Sequence, residues 1–371
     1  MEKYGPIFRT NLVGRLIIIS TDPDLNYFVF QQEGNLFQSW YPDTFTEIFG
    51  KQNVSSLHGV MYKYLKNMVL HLFGPESLKK MIPEVEQAAL SRLQQWSCQD
   101  ITELKDATAS MIFDLTAKKL ISYDSSKSSE NLRDNFVAFI QGLISFPLDI
   151  PGTAYHKCLQ GRKRAIGMLK DMLRERRGKS RDQPNDFFDY VIEELEKEGT
   201  ILTEEISLDL MFVLLFASFE TTSIAMTLAI KFLSDHPLVL KQLTEEHEMI
   251  LKQRKNADSG LTWKEYKSMT FTFQDIPFQQ VGELWLVTQR QRKQIAHPKI
   301  SWLLAADRDC VGADFAKVEM AVFLHCLVTK YRWEAITGGN IVRTPGLQFP
   351  KGFHIRILEK DNRKQPIIPD T

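Results

Sequence analysis

The sequence predicts a mainly α fold with small β-sheets towards both ends of the chain. Three observations carry that expectation. Leu208–Ile230 is a long apolar run in which Glu220 is the single charge between Met211 and Ile230. Other stretches repeat apolar residues at three- and four-residue steps, as one face of a helix does, most clearly Phe315, Val318, Val322, Cys326 and Leu327. Strand-like text, rich in β-branched and aromatic residues, is confined to residues 4–20 and 345–357.

With 371 residues and 43% apolar content, the chain is long enough to bury a large core. Lys plus Arg and Asp plus Glu balance at 46 each, so no global field draws nucleic acid or an acidic partner. The four cysteines, at 98, 158, 310 and 326, form no C-x-x-C pair. That spacing argues against a disulfide scaffold or a zinc site and for a reducing compartment. Met1-Glu-Lys-Tyr-Gly-Pro reads as neither a signal peptide nor an anchor.

In chain order, Tyr4–Thr10 and Arg15–Ser20 read as two short strands of an edge hairpin. Thr21-Asp-Pro-Asp then opens a helix that runs through Phe30. His58–His71 reads as an amphipathic helix with a basic face, and residues 83–145 as successive helices without chemistry of their own. Past Pro151-Gly, Gly161–Arg177 is again helical. Ten Lys or Arg fall between Lys157 and Arg181, but the acidic stretch Asp186–Glu198 follows at once. A solvated, ion-paired helix fits that pattern better than a nucleic-acid surface.

The long apolar run starts a helix after Thr203, and Asp235-His236-Pro237 ends it. It has the length to span a bilayer, yet an ionisable residue at mid-span is costly. A long buried helix is the better physical reading. Pro345–Ile357 reads as a turn and hairpin.

Two short constellations carry chemistry. Cys310 lies just ahead of a helix, where unpaired N–H groups and the helix dipole favour a thiolate. Taken alone, it is most simply a small buried hydrophobe. Inside the long helix, Ala217, Glu220 and Thr221 stand three and four apart and share one side. Taken alone, a Glu-Thr pair there is most simply a satisfied polar kink.

Together they resemble a known family. Arg308-Asp309-Cys310-Val311-Gly312, with the helix that continues to Tyr331, resembles the haem-binding region of the cytochrome P-450 family, Phe-x-x-Gly-x-Arg-x-Cys-x-Gly. Leu303 and Ala306 stand where that pattern has phenylalanine and glycine. Ala217-Ser-Phe-Glu-Thr-Thr222 resembles the family's oxygen-activation motif, Ala/Gly-Gly-x-Asp/Glu-Thr-Thr, with Ser218 in place of the glycine. The wording around Lys157–Arg177 is similar to plant members of the steroid and triterpenoid hydroxylase branch.

The resemblance implies one mainly α catalytic domain over residues 1–371, with the cytochrome P-450 fold and small β-sheets. It implies haem b (iron protoporphyrin IX) held by the thiolate of Cys310, with Arg308 in the same cofactor-binding loop. Tyr62 and Lys66 take the positions that reach a haem propionate, and Thr221 and Glu220 those that hold water and relay protons to dioxygen. The implied activity is hydroxylation of a sterol, brassinosteroid or triterpenoid-like substrate. The implied partners are an NADPH-cytochrome reductase and a hydrophobic small molecule, not nucleic acid. The implied place is the cytosolic face of the endoplasmic reticulum membrane, with an anchor and hinge expected ahead of residue 1, so that the fold is incomplete.

The family also has a bracing Glu-x-x-Arg helix between its two motifs. Here that spacing occurs only at Glu130–Arg133, ahead of both. Residues 275–309, without helical or strand period, read as an aberrant junction in place of the brace and the meander that follows it. Two alternatives therefore stand beside the monooxygenase. One is a catalytically inactive, truncated relative that binds haem poorly or not at all. The other is an unrelated helical protein with a reactive thiol at Cys310.

Overall fold

The structure, a computed structural model, describes residues 4–275, 310–343 and 347–360, except 13–14, 33–34, 39–40, 42, 51, 53–56, 58, 126–131, 144, 178–184, 255 and 257–258. The chain opens on an antiparallel hairpin, β1 (Ile7–Leu12) and β2 (Arg15–Ser20), in which Thr10 faces Ile17. Asp22 then accepts from the Leu25 N–H and Pro23 takes the first helical position, which starts α1 (Pro23–Gln31). Both elements lie where the residue pattern puts them. After α2 (Asp43–Phe49) come α3 (Gly59–Phe73) and α4 (Pro75–Ser97).

A two-residue strand, β3 (Thr102–Glu103), leads into α5 (Leu104–Ile121) and α6 (Leu132–Leu143). Next are α7 (Ala154–Arg176), α8 (Phe187–Glu196), α9 (Glu204–Asp235) and α10 (Pro237–Gln253). Two short helices, α11 (Trp263–Lys267) and α12 (Thr270–Asp275), end this part. Beyond residue 309 lie α13 (Ala313–Lys330) and the strands β4 (Tyr331–Gly338), β5 (Val342–Arg343), β6 (Leu347–Gln348) and β7 (Phe353–Glu359).

The long apolar helix has the ends its sequence announces. Thr203 Oγ1 accepts from the Ile206 N–H at 3.2 Å, and Pro237 opens the next helix directly after His236. By length and composition α9 is apolar enough to cross a membrane, yet most of its apolar window is buried inside the protein. It packs on α5, α7, α8, α10 and α13, so the protein itself desolvates it. Its buried face includes Met211, Phe212, Leu215, Phe219, Met226 and Ile230.

The basic stretch departs from the sequence reading. Arg176 is 13% exposed and donates to Asp186 (2.8 Å), to Asp189 (3.0 Å) and to the Ile121 carbonyl (2.6 Å), joining α5, α7 and α8. Arg162 likewise pairs with the buried Asp209 of α9. The helix is ion-paired, as expected, but these two arginines are interior clamps and not solvated side chains.

The C-terminal end needs a second correction. One hairpin is expected over residues 345–357; instead β6 pairs with β5, and β7 is the centre of a separate three-stranded sheet ordered β3-β7-β4. The alternation Phe353, Ile355, Ile357 buries one face of β7, and its two edges pair with β3 and β4. Its long partner, β4, shows no such alternation, because only Tyr331 is buried, and so gives no strand signal.

In α13 the expected apolar residues Phe315, Val318, Val322, Cys326 and Leu327 are all buried, and so are Glu319 and His325. The helix is enclosed nearly all round and not along one face. His325 Nδ1 lies 3.1 Å from His247 Nδ1 of α10, and His247 Nε2 lies 3.2 Å from Thr272 Oγ1 of α12. Glu246 accepts from the Phe271 and Thr272 N–H groups at 2.7 and 3.0 Å, capping α12 with a charge. Glu319 is 1% exposed, and neither carboxylate oxygen has a hydrogen-bond partner among the described residues. Burial holds its carboxyl well above the ordinary carboxylate value.

Two predictions follow from these buried groups. Burial pushes His247 down to about 4 and His325 down to about 3, so both are neutral in the fold. The unfolded chain takes up these protons near pH 6.5 and the folded chain does not. Stability from the pair is therefore complete above pH 6.5 and lost as pH falls through 4 towards 3. Each imidazole adds up to about 1.4 kcal/mol per pH unit across that window. Urea unfolding of His325→Asn at stepped pH should show a slope shallower than wild type by roughly one proton; an equal slope removes the neutral pair. Replacing Glu319 by Met, which fills similar volume without a polar head, should raise Tm by roughly 2–6 °C. A lowered Tm in that variant would mean that the carboxyl has a stabilising partner.

Candidate active site

The middle of α9 is where its burial stops. Ala217 and Thr221, one turn apart, are exposed, and Val213, Phe216, Ser218 and Glu220 beside them are half-buried. Thr221 Oγ1 donates to the Ala217 carbonyl at 3.0 Å, the local back-bond available to a helical threonine. Ser218 and Ser223 donate in the same way to Leu215 and Glu220, each at 3.0 Å. These bonds satisfy the hydroxyl protons and leave the Thr221 oxygen with a free acceptor face. A small residue at 217 and an exposed hydroxyl at 221 leave space on the helix for a small molecule.

Glu220 is fixed from another helix. Lys105, near the start of α5, reaches both of its carboxylate oxygens at 3.0 and 2.8 Å. The pair is only 30% and 15% exposed, so solvent screens it less than a surface ion pair. The sequence reading did not single out Lys105. Nothing local signals it, since the two residues lie 115 positions apart.

Cys310 is exposed, two residues ahead of Gly312, which caps α13. The Cys310 carbonyl accepts from the Ala313 N–H at 3.1 Å, so the backbone turns sharply beneath the thiol. A side chain added at Gly312 would meet nothing within 4 Å among the described residues. The simple reading of Cys310 as a buried hydrophobe is therefore overturned; Cys158 and Cys326 are the buried ones. Phe315 of α13 stacks on Phe73 at 4.7 Å, which ties the helix behind the thiol to the end of α3. Tyr62 and Lys66 stand one turn apart on α3, both half-buried. α13 also packs against α9, so the thiol-bearing and hydroxyl-bearing helices are neighbours. Arg308, Leu303, Ala306 and the junction 276–309 lie outside the described residues.

The donor set suits a haem. An exposed, unpaired thiol is a soft ligand for iron, and the one exposed interruption of α9 offers a hydroxyl and a clamped carboxylate. Among the described residues, no cluster of three His, Cys, Asp or Glu side chains offers a competing metal site.

Comparison with known proteins decides the family. A cytochrome P450 family profile matches residues 1–276. The chain belongs to the cytochrome P450 family. The chain is 49% identical to cytochrome P450 87A3 of Oryza sativa over 97% of its length and 80% of the rice protein. It is 34% identical to cucurbitadienol 11-hydroxylase of Siraitia grosvenorii and 33% identical to β-amyrin 16-α-hydroxylase of Maesa lanceolata. Each of these two matches covers 97% of this chain and 86% of the relative. Among solved structures, the retinoic-acid-bound cyanobacterial CYP120A1 superposes with a TM-score of 0.80 over 97% of this chain and 93% of that one. At 18% identity that likeness speaks for the fold alone.

The expected plant branch of sterol and triterpenoid hydroxylases is thus borne out, and with it the P450 fold and a haem cofactor. The unrelated helical protein is excluded. The inactive alternative gains no support from any of these relatives.

The Lys105–Glu220 pair generates a test. If Glu220 is the proton-relay group that the resemblance implies, Lys105→Met, which frees its carboxylate, should lower kcat by roughly tenfold and leave KM within about twofold. An unchanged kcat would take Lys105 out of the site.

Proposed function

We propose that this P450 hydroxylates a sterol, brassinosteroid or triterpenoid-like alcohol, with haem b on Cys310 and electrons from an NADPH-cytochrome reductase. The observation that carries this reading is the exposed Ala217–Thr221 turn inside an otherwise buried apolar helix, with Glu220 clamped beside it. The relatives named as cucurbitadienol and β-amyrin hydroxylases supply the substrate class. A haem with a thiolate ligand supplies the oxidation: one atom of dioxygen enters a C–H bond and the other leaves as water.

The chain's own residues then have separable tasks. Cys310 offers the thiolate, and the N-terminal end of α13 behind it favours that negative charge. Thr221 Oγ1, with its proton committed to Ala217, accepts from a water and orients it. Glu220 passes protons to that water from the solvent side, where Lys105 keeps the carboxylate in place. The apolar residues around Val213 and Phe216 receive a hydrophobic substrate and exclude bulk water. Tyr62 and Lys66 of α3, together with Arg308, fit the role of binding the haem's propionate edge and flank. The cytosolic face of the endoplasmic reticulum membrane is the place that fits such partners and substrates.

Residues 275–309 belong to the same proposal. The family profile stops at residue 276, and the match to the rice relative runs over 411 positions, more than the 371 residues of this chain. Relatives therefore carry residues with no counterpart here. We place that difference at the junction, where the bracing Glu-x-x-Arg helix is expected, within one catalytic domain.

The test is the carbon monoxide difference spectrum of the reduced chain, expressed with excess haem. Wild type is expected to give the red-shifted band of thiolate ligation, and Cys310→Ser to lose it. Thr221→Ala should keep the band and lower product formation by roughly 10²-fold, the range for a lost proton-transfer group. A wild-type spectrum without the thiolate band would refute Cys310 as the ligand.

A further inference from the structure

The stretch between α10 and α12 is fastened at every step. Arg254, directly after α10, is 7% exposed and donates to Glu265 of α11 at 2.7 Å and to the Ser259 carbonyl at 2.6 Å. The other oxygen of Glu265 accepts from the N–H and from the hydroxyl of Thr262, each at 2.7 Å. Thr262 Oγ1 in turn accepts from the Glu265 N–H at 3.3 Å, which completes a capping box. Glu86 of α4 accepts from the Leu261 N–H at 2.8 Å. Burial pushes the Glu265 carboxyl up, but Arg254 and Thr262 outweigh it and hold the group below its ordinary value. The loop is therefore pinned at Ser259, Leu261 and Thr262 before α11 begins. A helix of 5 residues does not hold itself together in water, so its place comes from these bonds.

The residue so placed is Tyr266. It is 6% exposed, stacks on Trp263 at 5.0 Å and meets Phe273 of α12 edge-on at 5.2 Å. α11 packs on α13. Burial first, and then the charge of Asp314 in the first turn of α13, push the Tyr266 hydroxyl up to about 12. The same turn carries Phe315, which stacks on Phe73 at 4.7 Å. Within it the Ala313 N–H donates to the Cys310 carbonyl at 3.1 Å and the Ala316 N–H to the Gly312 carbonyl at 2.9 Å. The backbone that bears the thiol is thus bonded to the turn beside Tyr266.

We propose that Tyr266 is a positioning residue for the thiol of Cys310: α11, locked by Arg254 and Glu265, sets the ring against the first turn of α13 and so fixes where the sulfur stands. This rests on the reading of Cys310 as the iron's thiolate. The need for such a support lies in the turn itself. Gly312 caps α13 and has no side chain to accept from the first N–H groups, so packing has to hold this end. A ligand has to stay within roughly 0.5 Å of its productive place. Tyr266 acts through α13 and not on the sulfur.

The test uses the full chain expressed with excess haem. It reads the reduced carbon monoxide spectrum as the ratio of the thiolate band to the band of haem without thiolate. Tyr266→Leu should lower that ratio roughly tenfold, and Arg254→Lys, which loses the fork on Glu265 and Ser259, about as much. Tyr266→Phe keeps the stacked ring and should stay within about twofold of wild type. Hydrogen exchange in Tyr266→Leu should quicken roughly tenfold at the amides of residues 313–317 and stay unchanged across α5. The control is Arg176→Lys, which loosens the clamp between α5, α7 and α8 and should leave the ratio within about twofold. A ratio or an exchange rate unmoved in Tyr266→Leu, or a ratio lowered equally by Arg176→Lys, overturns the proposal and leaves Cys310 standing as the ligand. A wild-type chain without the thiolate band overturns the reading of Cys310 and this proposal with it.

Discussion

The structure depends on the desolvation of α9. A helix of 32 residues with this apolar content is stable in water only if other elements cover it, and α5, α7, α8, α10 and α13 do so. Ser218, Thr221, Ser223 and Thr227 turn their hydroxyl protons back onto its own carbonyls, so these hydroxyls add no unmet donor to the interior. Against that covered background the exposure of Ala217 and Thr221 has meaning. A P450 needs one place where dioxygen, water and a C–H bond meet beside a helix, and the break in burial is the place proposed for it.

Charges placed in this interior are treated in three ways. Some are paired across long sequence distances: Lys105 with Glu220, Arg162 with Asp209, and Arg176 with Asp186 and Asp189. Such pairs add little net stability, since the desolvation of two ions offsets most of their attraction, but they fix geometry strongly. Others are neutralised, as His247 and His325 are by burial. Glu319 forms the third class, a carboxyl enclosed in α13 without a partner among the described residues. Two of the first class tie α9 to α5 and α7, and the third joins α5, α7 and α8. The last two lie around α13, behind the thiol.

The family membership and the geometry support each other from different ends of the chain. The profile match covers residues 1–276 and so includes the Ala217–Thr221 turn, while Cys310 lies beyond it. The relatives, matched over 97% of the chain, carry the likeness past the junction. The exposed thiol ahead of α13 is what a ligand loop must present, and the stacking of Phe73 on Phe315 ties it to the helix that holds Tyr62 and Lys66. The elements proposed to hold the haem are thus ones that the core already ties to one another.

What the sequence determined by itself was local. The start of α9 at Thr203, the stop at His236-Pro237 and the proline that opens α1 follow from capping chemistry that needs no tertiary partner. The motif around Thr221 and the thiol at Cys310 were legible for the same reason, because a few adjacent residues carry them. The tertiary structure decided which charges meet. Lys105 and Glu220 are 115 positions apart, Arg162 and Asp209 are 47 apart, and both pairs exist only because α5 and α7 pack on α9. It likewise assigned β7 to β4 and β3, because a strand's partner is chosen by burial across the sheet and not by its own residues. Short-range bonds are written in neighbouring letters; desolvated pairs and sheet neighbours are products of packing.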